Sequence, residues 1–147
     1  MVDQATQQMV VGASPSRTWD VLTNFADYPV WAHDLKAVSV LDRDSEGRGV
    51  LVAYRAAAMG RSTSYTLRYD YSQAPHVLAW VLEESDVTRK LDGSYELSPI
   101  DGEPDRTSVV YSLIVDLVVP LPGFVKRRAE GRIIHTALRE LRDYLET

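Results

Sequence analysis

Apolar positions along this chain recur mostly at every second residue between Leu35 and Leu117. The clearest case is Ser62 to Tyr71, where Tyr65, Leu67, Tyr69 and Tyr71 share one face and Thr66, Arg68 and Asp70 share the other. A period of two with one dry and one wet face predicts antiparallel β-strands. Val38 and Val40 start the pattern, and Val50, Val52 and Tyr54 continue it after a turn signal at Ser45-Glu46-Gly47. Ala74-Pro75-His76 interrupts it before a strand from Val77 to Glu83 carrying Leu78, Trp80 and Leu82 on one face. Leu91, Gly93, Tyr95 and Leu97 alternate up to Pro99, and residues 101–105 read as a loop. Thr107, Val109, Tyr111, Leu113, Val115 and Leu117 form the longest alternating run.

Helical signals flank this block. Residues Ala5 to Val11 read as a first strand, and Ser14 then caps a helix whose first position is Pro15, where the missing N–H costs nothing. Asn24 to Trp31 reads as a further helical turn interrupted at Pro29. After Pro120-Leu121-Pro122-Gly123, a final helix runs to about Leu145 with the apolar stripe Val125, Ala129, Ile133, Ala137, Leu141 and Leu145, and with Ile134, Leu138 and Tyr144 beside it. Such a helix is on the order of 35 Å long. The order is strand, two short helices, about six strands and one long helix. An unbroken run of strands favours hairpins over βαβ units, which makes the chain α+β. A twisted sheet of this size curls, and the long C-terminal helix fills its concave side.

With 147 residues, 45% hydrophobic and 25% charged, the chain suits one globular domain spanning 1–147. No apolar run approaches the ~20 residues that span a bilayer, and the N-terminus lacks the pattern of a secretory signal, so a cytoplasmic protein is expected. The absence of cysteine removes disulfides and thiolate chemistry. A net charge of −5 argues against general nucleic-acid binding, although Lys126, Arg127, Arg128 and Arg132 form a basic cluster. That cluster is either a solvated face paired with Glu130 and other carboxylates or a rim that attracts an anionic ligand, an acyl carrier or a membrane surface. His33, His76 and His135 lack metal-ligand spacing, and no phosphate loop or catalytic triad is legible, so no metal or cofactor is expected. His33 and Asp34 read as a solvated pair.

The segments Ser14-Pro15-Ser16-Arg17-Thr18-Trp19-Asp20-Val21-Leu22-Thr23-Asn24-Phe25 and Tyr28-Pro29-Val30-Trp31 resemble the START-like helix-grip (SRPBCC) superfamily, within it the polyketide cyclase/dehydrase and lipid-transport group. Gly93-Ser94-Tyr95-Glu96-Leu97 and the 119–125 helix start add to the resemblance, which covers nearly the whole chain. It implies a hydrophobic cavity between the sheet and the C-terminal helix, and a hydrophobic small molecule as partner.

Tyr65, Tyr69, Trp80, Tyr95 and Tyr111 are expected on the concave side. Singly each reads as core. As a set they carry more phenol hydroxyls than a Val/Ile/Leu core would, and those hydroxyls need partners, which suits a partly wet pocket. Trp31 reads equally as a plug or as a gate. Gly131 reads as a tolerated imperfection of the helix or as a point of close approach. The candidate ligand-binding set is Trp31, Tyr54, Tyr65, Tyr69, Trp80, Tyr95, Tyr111, Phe124 and Arg128. The mouth is expected between residues 28–31 and 120–128, with Trp31 and Phe124 as an apolar lip and Arg128 beside it. Binding of a lipid, isoprenoid or polyketide is the first expectation. A cyclase or dehydratase using Tyr65, Tyr69, Tyr111 or Arg128 as acid–base groups is the enzyme alternative. An interaction module of the ribosome- or toxin-associated type is the third.

Overall fold

A computed structural model describes the backbone of residues 3–58, 61–86, 88–117 and 123–147, and the side chains within 4–57, 62–86, 88–116 and 131–147. Strand β1 (Asp3–Val11) leads to helix α1 (Pro15–Thr23), a single 3-10 turn (Phe25–Asp27) and the short helix α2 (Tyr28–Trp31). Strands β2 (Leu35–Arg43), β3 (Gly49–Ala58), β4 (Arg61–Asp70), β5 (Val77–Ser85), β6 (Thr88–Ile100) and β7 (Glu103–Leu117) follow, and helix α3 (Gly123–Leu145) ends the chain. All seven strands join one antiparallel sheet in the order β1-β7-β6-β5-β4-β3-β2. The meander from β2 to β7 is thus extended by β1, and α1 and α2 carry the chain from one sheet edge to the other.

Local chemistry accounts for the joints. Ser14 Oγ accepts from the Arg17 N–H at 3.2 Å, and Pro15 opens α1. Pro29 does not interrupt a helix as the sequence suggested. It sits in the first turn of α2, where a proline sacrifices no intrahelical hydrogen bond. The expected loop over residues 101–105 shrinks to the turn Asp101-Gly102, and β7 already begins at Glu103. Gly102 takes φ +76°, a conformation that lets two long strands join without a wider loop. Pro99 is accommodated at a register shift near the end of β6, where a missing N–H is cheap.

The odd-numbered face of β7 is inward as its period predicts: Thr107, Val109, Tyr111, Leu113 and Val115 are all buried. Helix α3 packs on β1 and β7. Its seam differs from the expected stripe. Ile134, Leu138, Leu141 and Leu145 are the residues sealed in the core, whereas Ile133 is 41% exposed and Ala137 only partly buried. Val125 and Ala129 lie outside the described side chains. A stripe built only from steps of four residues drifts by about 40° per step on a helix of 3.6 residues per turn. The real seam mixes steps of four and three and so stays on one side.

Because α3 leans toward β1 and β7, space remains between it and the β3–β5 part of the sheet. The sheet also opens there. Strands β5 and β6 pair only from Val77↔Glu96 to Trp80↔Gly93. Beyond that point the Leu82 N–H donates to the Asp92 carboxylate at 2.9 Å instead of to a strand neighbour.

Candidate functional site

The space between sheet and α3 is a cavity of about 630 Å³. Of the sequence-derived candidates, Trp31, Tyr54, Tyr65, Tyr69, Trp80, Tyr95 and Tyr111 all line it. Phe124 and Arg128 lie outside the described side chains. Leu67, Leu91, Leu113 and Val115 supply further apolar wall, and Ile133, Thr136 and Ala137 line it from α3. Inward-facing positions of successive strands make this arrangement unavoidable: Tyr54 pairs with Tyr65, Tyr69 with Trp80, and Tyr95 with Tyr111.

The aromatic rings form a continuous belt. Tyr54 stacks on Tyr65 at 5.2 Å, Tyr69 and Trp80 meet at 5.8 Å, and Trp80 touches Tyr95 at 5.5 Å and Tyr111 edge-on at 5.8 Å. Tyr95 and Tyr111 close it at 4.5 Å. Phe25 ties the belt to the helical side, at 4.6 Å from Tyr69 and 5.4 Å from Tyr28. Trp31 stands 5.0 Å from Tyr28 and stacks on Tyr144 of α3 at 6.4 Å. These offset and edge contacts are the favoured aromatic geometries and hold the rings in place.

Gly93 fixes the position of Trp80. A Cβ at Gly93 would stand 2.6 Å from the Ser112 carbonyl oxygen and 2.7 Å from Cζ2 of the Trp80 indole. The indole therefore lies directly over the glycine backbone, a close approach that any side chain would prevent. The sequence did carry this signal, since a glycine stands among Leu91, Tyr95 and Leu97 on an inward face. Gly131, by contrast, has no atom near its would-be Cβ among the described residues, which favours the tolerated imperfection.

The hydroxyls divide into two groups. Tyr54 and Tyr69 bond to each other at 2.6 Å, and Tyr28 donates to the Leu22 carbonyl. Tyr65, Tyr95 and Tyr111 make no hydrogen bond to a described residue, yet their oxygens are not sealed off, so they face the open part of the cavity. Burial pushes the pKa values of Tyr28, Tyr54, Tyr65, Tyr69, Tyr95 and Tyr111 above the ordinary phenol range, with the Asp34 carboxylate adding to the effect at Tyr65. Across neutral pH the belt is uncharged, able to donate and accept hydrogen bonds but not to act as phenolate.

The charged residues of the described lining are Asp34 and Arg132, both exposed at the rim, and Glu140, whose side chain is 11% exposed. His33 does not pair with Asp34 as its sequence neighbour. Its Nδ1 lies 2.6 Å from Glu140 Oε2, which joins the α2–β2 connection to α3. Asp34, Ser62, Arg132 and Ile133 are the exposed residues of the lining, so the described opening lies between mid-α3, the β3–β4 hairpin and the start of β2. The other side of the expected mouth, residues 120–128, lies outside the described side chains, and Trp31 is 3% exposed in the wall. Asp34 and Glu140 were missed as candidates because the cavity they both line joins residues far apart in sequence. No group of His, Asp or Glu suited to hold a metal occurs among the described residues, and no described helix is long and apolar enough to cross a membrane.

A curved antiparallel sheet, a long C-terminal helix laid across it and an aromatic cavity between them define a START-like helix-grip protein. The chain belongs to the polyketide cyclase/dehydrase and lipid transport family, whose sequence profile matches residues 3–146. It is similar to a START superfamily protein from Mycobacterium smegmatis, with a TM-score of 0.90 and 22% identity over 97% of each chain. It is also similar to the Zhui aromatase/cyclase from a Streptomyces species, with a TM-score of 0.81 and 16% identity over 99% of this chain and 94% of the other. The di-domain ARO/CYC protein BexL matches with a TM-score of 0.75 and 17% identity over 98% of this chain and 46% of its own. At these identities the likeness concerns the fold. No curated protein sequence matches significantly.

Proposed function

We propose that this protein binds one hydrophobic small molecule of lipid, isoprenoid or polyketide type in the cavity between sheet and α3. The observation that carries this reading is the pairing of an apolar aromatic wall with three hydroxyls that have no partner among the described residues, those of Tyr65, Tyr95 and Tyr111. A core built only for packing would use Val, Ile and Leu there, whose side chains bring no hydroxyl that needs a partner. A ligand with an apolar body and a few oxygens satisfies them. The volume of about 630 Å³ lies within the usual range for small-molecule sites. An open cavity also favours ligand binding over an interaction module, whose pocket would be small or filled.

Nile red, a neutral fluorescent hydrophobe, tests the reading. It is expected to bind with one site per chain, and Ala137→Trp, which fills the cavity from α3, should abolish binding while leaving the far-ultraviolet dichroism unchanged. Equal binding to both proteins would place the dye on the surface and count against the cavity.

A second reading, cyclisation or dehydration of a polyketone, is favoured by the same unpartnered phenols, because a donor to a carbonyl oxygen assists enolisation. Since the belt tyrosines stay protonated, the base in that reaction would be a carboxylate of the lining, Asp34 or Glu140. Turnover of a synthetic polyketone that survives both Asp34→Asn and Glu140→Gln would remove this assignment.

A further inference from the structure

Among the described residues, one buried side-chain polar atom has no hydrogen-bond partner: the indole Nε1 of Trp31. The residue is 3% exposed and forms part of the cavity wall. An indole N–H can only donate, and buried donors are almost always paired. The neighbours of Trp31 do not supply an acceptor. The Tyr28 hydroxyl oxygen and the Glu140 carboxylate keep lone pairs beside their bonds to Leu22 and His33, but neither stands where the indole N–H reaches it, and Tyr144 presents the face of its ring. Nε1 itself is closed to water in this conformation, while the ring that carries it lines the cavity. The ring is held by contacts with Tyr28 and Tyr144 and by no hydrogen bond, so no hydrogen bond has to break for it to turn and present its N–H to a ligand.

We propose that Trp31 is a specificity-determining donor, and that the ligand offers its N–H a neutral oxygen acceptor, a carbonyl or ether oxygen set within an apolar body. This rests on the ligand-binding reading above and narrows it. Of the charged groups of the described lining, Asp34 and Arg132 are exposed at the rim, and the less exposed Glu140 is bonded to His33. An ionised carboxylate near Trp31 would lose its hydration without gaining a described cation, whereas a neutral carbonyl costs far less to bury. A plain hydrocarbon leaves the donor unsatisfied. The pocket therefore prefers an oxygenated skeleton over an equally large bare one.

Fluorene and fluorenone test this, because they share one tricyclic skeleton and differ by a methylene against a carbonyl. Calorimetric titration of the full chain should show fluorenone binding about five- to tenfold more tightly. Trp31→Phe should bring the ratio close to one by weakening fluorenone alone. In the unsubstituted protein, where folding is not in question, the Trp31 indole N–H resonance should move downfield with fluorenone and stay in place with fluorene. Equal affinities together with an unmoved resonance would overturn the role of Trp31 and leave the cavity reading standing. Binding of neither compound would overturn both.

Discussion

Replacing Gly93 by alanine is a one-carbon change with a calculable consequence. The added Cβ would stand 2.6 Å from the Ser112 carbonyl oxygen and 2.7 Å from the Trp80 ring. The carbonyl belongs to backbone fixed by the β6–β7 ladder, where Gly93 faces Leu113 and Ser94 faces Ser112. It has no room to yield cheaply. Trp80 can yield only by tilting away from the strand into the belt, where Tyr95 and Tyr111 stand within 5.8 Å of it. Overpacking of this kind costs about 1–3 kcal/mol. Urea denaturation followed by far-ultraviolet dichroism should register that loss, and Nile red affinity should fall with it because the cavity narrows. A second change, Trp80→Leu in the Gly93→Ala background, should recover part of the stability, since the two effects share one contact. A Gly93→Ala protein within about 0.5 kcal/mol of the parent, with unaltered tryptophan emission, would refute the claim that the indole rests on the glycine.

Three further outcomes are expected. Leu138→Ala should cost about 2–5 kcal/mol in urea denaturation, because the side chain is fully buried in the α3 seam, whereas Ile133→Ala should change stability by less than about 0.5 kcal/mol yet alter Nile red affinity; the reverse ranking would restore the four-step stripe. Tyr54→Phe and Tyr69→Phe, combined in a double-mutant cycle, should show a coupling of about 1 kcal/mol from their shared hydrogen bond, and additive losses would remove it. At high pH, unfolded tyrosines ionise near 10, while the pKa of Tyr71 is pushed up to about 12 by burial and those of the belt are raised as well. A phenol held protonated in the fold contributes stability that is present below pH 10 and is lost as pH rises from about 10 through 12. Chemical denaturation midpoints measured across that window should fall together with the growth of tyrosinate absorbance, and a flat profile would contradict the burial.

What the sequence made legible and what it left hidden follow from the range of the interactions. The strands are legible because a period of two is written locally, and the burial of alternate residues in β7 follows from it without further information. The seam of α3 was displaced because Ile133 and Ile134 are both isoleucine: composition cannot tell which faces the sheet, and counting in fours rotates the stripe off its side. Pro104 and Pro99 pointed to a loop, yet strand pairing on both sides outweighed the loss of their N–H groups near a register shift and a turn. The Tyr54–Tyr69 bond, the indole of Trp80 over Gly93 and the capture of Glu140 by His33 join residues brought together only by the fold. The aromatic lining was nevertheless legible as a set, because the inward face of each strand follows from its period once one core residue on it is known.

The central claim, that the cavity holds a hydrophobic small molecule, is tested most directly by native mass spectrometry of the protein purified from its own host without denaturation. The account predicts a complex heavier than the bare chain by one small molecule. That added mass should disappear on gentle activation, be absent from Ala137→Trp prepared in parallel, and extract into organic solvent as a compound with an apolar body and neutral oxygens. Bare chain in every preparation, with no complex formed on addition of Nile red, would contradict it.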